Sequence, residues 1–365
     1  MKKHLIAAAG LGLSATVAQA GGIERTNQSV GVLFEEGRHL EFSIGYANPD
    51  VSGVGTAAVG GGASGNLTED FFQLGAAFKS DINSKLSYAI IVDQPYGADV
   101  AYPLVPYFAA GSTAEFNSVA LTGLLRYKTN ENFSVYGGLR LQAIDANANI
   151  PFVPGYTVDG DREWGVGAVV GVAYEIPDIA LRVSLTYNSE IAYDVATTET
   201  ITGAPGLIGS TTEVETPQSV HLEFQSGVAE NTLVFGGIRW VDWSDFDITP
   251  LAFAGATGGP LIAYENDYVT YTLGVAYRFN ETWAMAGSIS YEEGDAAFMT
   301  NLGPTDGSTS LSLAAIYTQD NMEITTGIRY TDLGNAQTRA GAAAPAAIFE
   351  DNDAVSVGVS VAFKF

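Results

Sequence analysis

The chain has no cysteine, few basic residues and, beyond its first twenty residues, no apolar run long enough for a helix to cross a bilayer. The lack of cysteine excludes a disulfide framework and suits a chain that crosses an oxidising compartment unfolded. Lysine and arginine total 16 against 41 acidic residues, which gives a formal net charge of −25. Such a charge repels phosphate, so nucleic acid is not an expected partner.

The apolar content is nevertheless high, because 47% of the 365 residues are hydrophobic and 36 of them are tyrosine or phenylalanine (18 of each). In lipid, only helices and closed barrels satisfy every backbone polar group. A chain rich in apolar and aromatic residues but without helical spans is therefore expected to cross a membrane with strands.

The first twenty residues have the three parts of an export signal. Lys2, Lys3 and His4 form a basic start, residues 5–17 an apolar middle, and residues 18–20 (Ala-Gln-Ala) a small-x-small cleavage site. We expect a signal peptide over residues 1–20 and a mature chain that begins at Gly21.

The last stretch, residues 353–365, reads DAVSVGVSVAFKF and alternates strictly between apolar and small or polar residues. This period of two predicts a strand with one apolar face, of the length that a tilted transmembrane strand requires. A terminal aromatic strand also resembles the signal that hands outer-membrane proteins to their assembly machinery, which we expect as a partner.

The same alternation recurs along the chain and predicts about fourteen strands, an even number as in bacterial barrels. The strands are expected near residues 40–46, 72–78, 86–92, 119–127, 133–141, 164–174, 181–187, 220–224, 234–240, 269–279, 283–291, 311–317, 322–330 and 355–365. Short turns alternate with long Gly-, Ser-, Thr- and Asp-rich loops near residues 48–69, 97–114, 147–160, 196–213, 249–266, 294–307 and 334–352.

This asymmetry is typical of a transmembrane barrel and has no reason to occur in a propeller or sandwich. The predicted fold class is all-β, a transmembrane antiparallel β-barrel of about 14 strands over residues 39–365. Residues 21–38 show no strong period, and we expect them to lie in the mouth or lumen of the barrel.

Six of the ten arginines fall on the inward face of the predicted strands: Arg126, Arg140, Arg182, Arg239, Arg278 and Arg329. Inward placement is expected, since a charge on the lipid face costs about 2–4 kcal/mol at the midplane. One interpretation is a structural network with inward acidic residues. The other is that some of these arginines contact an anionic head group of a passing ligand. The candidate ligand-binding residues are Arg140, Arg182, Arg239, Arg278 and Arg329.

The third predicted strand runs into the sequence Asp-Gln-Pro-Tyr-Gly at residues 93–97. Proline cannot donate to a sheet ladder, and a broken ladder in lipid needs protein or water to satisfy it. Pro95, Tyr96 and Gly97 are therefore candidates for a kink that opens a gap in the wall. The alternative is that the strand simply ends near Val92.

Catalysis and metal binding have little support in the sequence. Outside the signal the only histidines are His39 and His221, and Ser219 beside His221 lacks a third group to orient the base. Residues 305–307 (Thr-Asp-Gly) lack the pattern of a calcium loop. We expect no enzyme activity, no metal and no cofactor.

Several motifs, in order along the chain, resemble the FadL family of outer-membrane transporters of long-chain fatty acids, which includes the toluene-uptake TodX branch. They are Asn-Pro-Asp-Val-Ser-Gly at residues 48–53, Gln-Pro-Tyr-Gly at 94–97, Asp-Arg-Glu-Trp-Gly-Val-Gly at 161–167, Tyr-Asn-Ser-Glu-Ile at 187–191, Thr-Pro-Gln-Ser at 216–219, and Trp-Val-Asp-Trp-Ser-Asp-Phe at 240–246. The resemblance covers nearly the whole mature chain.

The resemblance implies a monomeric barrel in outer-membrane lipid and lipopolysaccharide, with residues 21–38 as a hatch in the lumen. It also implies that a hydrophobic ligand, with long-chain fatty acids expected before aromatics, is captured by the external loops. The ligand then leaves sideways through the gap at the third strand.

Two features depart from the family pattern. Residues 21–38 are shorter than the family's hatch and lack its Asn-Pro-Ala motif, and the third external loop is short. Two alternative functions therefore stay open, namely uptake of aromatic hydrocarbons and a general porin-like channel for polar solutes.

Overall fold

The computed structural model describes residues 22–204, 206–341 and 343–365. The signal peptide expected at residues 1–20 and the expected mature start at Gly21 lie outside the described residues.

The described chain is almost entirely β-structure. Its strands are β1 (His39–Asp50), β2 (Gly53–Gly55), β3 (Phe71–Asp81), β4 (Leu86–Asp93), β5 (Gly97–Ala101), β6 (Thr113–Lys128), β7 (Phe133–Ile150), β8 (Tyr156–Ile176), β9 (Leu181–Asn188), β10 (Ile191–Thr200), β11 (Ile208–Thr216), β12 (Ser219–Ala229), β13 (Thr232–Val241), β14 (Asp247–Ile248), β15 (Ile262–Ala263), β16 (Tyr268–Arg278), β17 (Trp283–Glu292), β18 (Ser308–Gln319), β19 (Met322–Leu333), β20 (Ala336–Ala340), β21 (Ala343–Phe349) and β22 (Asn352–Lys364). One α-helix, α1 (Leu251–Thr257), and 3₁₀ turns at Gly31–Phe34, Ala57–Val59 and Pro177–Ile179 complete the described elements.

Seventeen of these strands form one antiparallel sheet that closes on itself. Closure occurs at β1, where Tyr46 faces Val357 of β22 on one side and Phe72 of β3 on the other. Three spanning strands are each made of two pieces, namely β4 with β5, β9 with β10, and β11 with β12. The wall therefore has fourteen spanning strands, and the predicted barrel is confirmed.

The alternating sequence explains how each strand presents two faces. In β22, Val355, Val357 and Val359 are exposed on the outside, whereas Ser356 and Ser360 are buried inside. The barrel thus turns apolar side chains outward, where lipid covers them, and keeps hydroxyl groups for the lumen.

Short turns lie at one end of the barrel, the turn end, and the long connections lie at the other, the loop end.

Two connections at the loop end are shorter in the structure than the loops predicted from the sequence. The β7–β8 ladder continues to Ile150 and resumes at Tyr156, so the connection is residues 151–155 rather than 147–160. The β10–β11 ladder likewise extends to Glu199 paired with Ile208. Small and polar residues continue these strands, so apolar alternation alone missed them.

The remaining long loops carry local structure that covers the loop end. Strand β21 pairs with both β2 and β20, and residues 247–263 fold as β14, α1 and β15. In the described part of the chain, no helix is long and apolar enough to span a membrane.

Candidate functional site

The N-terminal residues 22–38, here called the lumen segment, lie inside the ring of strands. Their side chains contact inward-facing residues of strands on different sides of the wall. Glu24 pairs with Arg239 of β13, Gln28 contacts Arg140 of β7, and Ser29 donates to Glu223 of β12 at 2.9 Å. The segment therefore occupies the interior that a hollow barrel would leave to water.

An ion pair between Glu24 and Arg239 joins the lumen segment to the wall. The Arg239 Nε donates to Glu24 Oε2 at 3.1 Å and a second guanidinium nitrogen contacts Oε1, with each side chain only 3% exposed. Two parallel bonds of this kind fix position as well as charge. Beside them, Arg140 binds both Gln28 and the Thr122 hydroxyl, the latter at 3.0 Å.

Nearer the turn end, the segment is held by an aromatic and an acidic side chain. The Phe34 ring lies under the guanidinium groups of Arg126 and Arg182, at 4.5 and 4.7 Å, and meets the Tyr136 ring edge-on at 5.7 Å. Below it, Glu35 accepts Lys364 Nζ of β22 at 3.0 Å. The segment thus has anchors along its length.

The five candidate arginines do not form one cluster. Arg140 and Arg239 contact the upper part of the lumen segment, and Arg182 stacks on its lower part. Arg329 donates to Ser312 of the neighbouring strand at 2.9 Å, and Arg278 ends β16 near the turn end. For Arg140 and Arg239 these contacts are those of a structural network. Its partners Glu24 and Gln28 were missed, because residues 21–38 carry no periodic signal.

The third spanning strand is interrupted at residues 94–96, which include Pro95 and Tyr96, and continues from Gly97 as β5. Strand β4 pairs with β3 as far as Val92 opposite Ala76, whereas the described ladder partner of β5 is β6. Residues 71–75 of β3 and 94–97 therefore face each other without a ladder, and we call this opening the β3–β5 gap. The third spanning strand therefore does not simply end near Val92, because it continues as β5 beyond the gap.

Side chains and the lumen segment satisfy the backbone groups at the gap. The Gln94 Oε1 accepts the Leu74 amide at 2.8 Å in place of a strand carbonyl. On the inner side, the Pro95 carbonyl accepts the Arg25 amide at 2.7 Å, and the Gly97 amide donates to the Ile23 carbonyl at 2.8 Å. The lumen segment therefore forms a short bridge directly behind the break.

Tyr96 links the break to an aromatic cluster at the loop end. Its buried hydroxyl accepts Gln28 Nε2 at 3.0 Å, and its ring meets Trp243 edge-on at 5.8 Å. Trp243 also packs against Phe246 and Tyr264. A Cβ on Gly22 would lie 2.5 Å from the Trp243 ring, so this glycine allows the start of the lumen segment to pass beneath it.

A narrow cavity of about 50 Å³ at the loop end, here called the apolar cavity, is closed by residues 247–263. Its walls are largely aliphatic and aromatic, and include Phe116, Ile144, Val195, Val214, Leu261 and Ile262. Among the described residues that line it, the charged ones are Glu115 and Asp145, and none is basic. The cavity therefore suits an uncharged, apolar guest.

A second cavity of about 110 Å³, the junction cavity, lies between the apolar cavity and the β3–β5 gap. Ala98 and Leu302 line both cavities, and Phe71 at the gap lines the second. Arg25 is the basic side chain in its described lining, ion-paired to Asp99 and 3.9 Å above the Phe71 ring. Burial raises the pKa of the Tyr264 hydroxyl, which also lines this cavity and stays neutral.

A third cavity of about 80 Å³ lies on the turn side of the break, between the lumen segment and the strands β1, β3 and β4. Gly75, Val92 and Asp93 line it from the wall, and Thr26 and Val32 from the lumen segment. The junction cavity and this third cavity therefore lie on either side of the break in the third spanning strand, the first toward the loop end and the second toward the turn end.

The cover over the apolar cavity is fixed by one carboxylate. Glu199 of β10 is fully buried, and its Oε2 accepts the Tyr156 hydroxyl at 2.9 Å and the amides of Ala252 and Phe253 at 3.0 and 3.1 Å. These amides belong to the first turn of α1, where helices leave donors unsatisfied. The role of Glu199 was not predicted from the sequence, because residue 199 was expected to lie in a loop.

Among the described residues, no group of three His, Asp or Glu side chains is arranged to hold a metal ion. His221 is buried in the wall, with its ring against Gly237, and Ser219 instead accepts from Asn188 at 3.2 Å.

Comparison with solved structures shows the same fold in several barrels. A FadL homologue from Pseudomonas aeruginosa superposes with a TM-score of 0.74 at 13% identity, covering 96% of this chain and 98% of that one. The toluene transporter TodX from Pseudomonas putida gives 0.66 at 11% identity, covering 97% and 98%. The toluene transporter TbuX from Ralstonia pickettii gives 0.64 at 14% identity, covering 96% and 97%.

No curated protein sequence matches the chain. The sequence model of one family, described as outer membrane protein transport protein (OMPP1/FadL/TodX), does match, and it covers residues 36–365. The chain therefore belongs to the OMPP1/FadL/TodX family of outer membrane transport proteins.

Proposed function

We propose that the protein carries hydrophobic small molecules passively across the outer membrane. A ligand enters the apolar cavity from the loop end, passes into the junction cavity, and leaves sideways through the β3–β5 gap. The observation that carries this proposal is the shared lining of the two cavities, in which Ala98 and Leu302 face both. No catalytic group or energy source is required, because the ligand moves down its concentration gradient.

In this proposal the mature protein, without residues 1–20, uses residues 21–38 as a hatch and residues 39–365 as a monomeric barrel. The long connections face outward among lipopolysaccharide, and the short turns face the periplasm. The final strand, β22, is the part read by the assembly machinery. The lumen contacts of Glu24, Gln28 and Phe34 support the role of the hatch, since they leave polar solutes little open interior.

Long-chain fatty acids are the first proposed ligand. Arg25 lies on the path beside an apolar wall, and a ligand carboxylate is able to compete with Asp99 for its guanidinium. The next candidates to bind the ligand carboxylate are three arginines that face the lumen closer to the turn end: Arg182, Arg278 and Arg329. Aromatic hydrocarbons are the second proposed ligand, favoured by the absence of basic side chains among the described lining residues of the apolar cavity.

Uptake of radiolabelled oleate and toluene by cells that lack other transporters of this kind tests the proposal. The mature barrel should raise uptake of at least one of them above the empty-vector level, while purified protein in a planar bilayer passes no steady ion current. A steady ohmic current that oleate leaves unchanged, together with uptake at the empty-vector level, would instead establish a porin-like channel for polar solutes.

A further inference from the structure

A second interruption of the wall lies between β8 and the strand formed by β9 and β10. The ladder runs from Ile176 paired with Leu181 up to Val169 paired with Asn188. It resumes at Gly160 paired with Thr197, in the same register. Residues 161–168 and 189–196, all of which are described, do not form ladder pairs between these points. We call this opening the β8–β10 seam.

Side chains fill the seam where backbone pairing is missing. A Cβ on Gly165 would lie 2.4 Å from Ile191 Cγ2 and 2.8 Å from the Tyr193 ring, and a Cβ on Gly167 would lie 2.7 Å from Ile191 Cγ1. Ile191 and Tyr193 are buried and pack directly against these two positions of β8, where glycine leaves room for them. At the lower end, the Ser189 amide donates to the Ala168 carbonyl and the Ser189 Oγ accepts the Ala168 amide, both at 2.9 Å, so the two strands are still bridged at this point.

The seam joins the outer surface of the barrel to the apolar cavity. On the outside, Trp164 and Val166 of β8 are 53% and 62% exposed, an aromatic and an aliphatic residue of the kind that borders the membrane interface. On the inside, Gly160 and Val195 at the upper end of the seam line the apolar cavity. The seam is therefore a short route between lipid and that cavity.

We propose that the β8–β10 seam is a second lateral passage, through which a neutral hydrophobic molecule dissolved in the outer leaflet reaches the apolar cavity without crossing the loops. This proposal rests on the proposed transport function, because it uses the same cavity. Opening a paired ladder in lipid breaks backbone hydrogen bonds that nothing replaces. Above the Ser189–Ala168 bridge, the seam has no ladder pairs to break, and opening it requires that Ile191 and Tyr193 move aside.

The charges at the seam select the class of ligand. Glu190, immediately before β10, and Asp194 of β10 are exposed next to the seam, whereas the basic Arg162 at its upper end is paired with Asp145. Carboxylates at this position repel an ionised fatty acid and the phosphates of lipid head groups, whereas they do not oppose a neutral hydrocarbon. The seam is thus assigned to uncharged molecules. The two sequence motifs at residues 161–167 and 187–191 form its two sides.

Accessibility of Ile191 from lipid tests the seam without relying on transport. The natural chain has no cysteine, so Ile191→Cys gives a single reactive site; Ala276→Cys, buried on β16 within a paired ladder, is the matched control. In vesicles, a membrane-dissolved pyrene maleimide should label the Ile191→Cys variant about tenfold faster than the Ala276→Cys variant, since local opening sets the rate. A sulfonated maleimide in water should show no such preference. Equal, slow labelling by the apolar reagent would overturn the proposal.

A disulfide across the seam then tests its use. The Cβ built on Gly167 lies 3.1 Å from Ser189 Oγ, so Gly167→Cys with Ser189→Cys brings two thiols into bonding range. The control is Thr272→Cys with Ser290→Cys, whose hydroxyls are 3.0 Å apart on a paired ladder. Oxidation should slow toluene uptake several-fold in the first variant only, with recovery in reductant. Unchanged toluene uptake in the oxidised seam variant would overturn the proposal of a second passage. If the unmodified protein itself shows no uptake above the empty-vector level, the proposed transport function is refuted instead.

Discussion

Arg239 of the barrel wall holds Glu24 of the lumen segment through two bonds, at a point where both side chains are almost completely buried. A buried pair contributes little net stability relative to apolar residues of the same size, but breaking it leaves one charge without a partner. This relationship makes the position of the lumen segment sensitive to a single substitution.

Glu24→Gln should therefore open the barrel to ions. It leaves the Arg239 guanidinium buried without its carboxylate, at a cost of about 3–5 kcal/mol, which release of the segment from the lumen relieves. The measurement is single-channel conductance in a planar bilayer. The double variant Glu24→Leu with Arg239→Met removes both charges and is the control, expected to stay closed. A closed Glu24→Gln channel would show that the pair does not fix the segment.

Gln94→Ala should loosen the β3–β5 gap. The Leu74 amide, on the outer face of the wall, then loses its side-chain acceptor, and a donor left without a partner in lipid costs about 1–3 kcal/mol. We expect faster hydrogen exchange at residues 71–75 and faster ligand uptake. Gln142→Ala, which removes a buried carboxamide from the middle of the paired β7–β8 ladder, serves for comparison. If exchange at residues 71–75 is unaltered, Gln94 does not close the gap.

Pro95→Ala should slow uptake, because it supplies an amide that proline lacks and allows the backbone of the third spanning strand to pair more regularly. The measurement is the rate of oleate uptake, compared with that of the unmodified protein at equal amounts of folded barrel.

Arg140→Gln and Arg182→Gln should alter the same rate of oleate uptake, because each loosens the lumen segment. Uptake equal to that of the unmodified protein in all three variants would show that neither the break at Pro95 nor the contacts of Arg140 and Arg182 with the lumen segment control uptake.

Glu199→Gln should release the cover of the apolar cavity. It replaces charge-assisted bonds to the Ala252 and Phe253 amides, each of a kind that contributes about 1.5–3 kcal/mol, by weaker neutral ones. Faster hydrogen exchange over residues 251–258 is expected. Glu213→Gln, exposed on β11, is the control and should leave that exchange unchanged. Similar exchange in both variants would mean that other contacts hold α1.

The sequence was sufficient to predict the wall of the barrel because lipid imposes a strict rule on each strand. One face of β22, from Val355 to Phe363, is apolar for that reason, and all fourteen spanning strands showed the same period. The ends of β7 and β10 were missed, since above the membrane Asn147, Asn149 and Thr198 continue the strand without apolar alternation. No turn-forming residue pattern in the sequence shows where these longer strands end.

The interior was harder to predict, because its contacts join residues far apart in the chain. Proline at position 95 marked the break in the third strand, but nothing local shows that Gln94 satisfies Leu74 or that Pro95 accepts Arg25. The inward arginines could be predicted from their alternation along the strands alone. Their partners in residues 22–38 depend on how the lumen segment threads between opposite walls, which no periodicity encodes.

The most direct test of the central claim blocks the connection between the two cavities. Ala98→Trp places a large side chain where the apolar and junction cavities share their lining, and Leu313→Trp on the lipid face is the matched control. With equal amounts of folded barrel in the membrane, verified by its heat-dependent migration on gels, oleate and toluene uptake is measured for both variants. Ala98→Trp should abolish the uptake that Leu313→Trp retains. Full uptake through Ala98→Trp would contradict this expectation and place the ligand path outside these cavities.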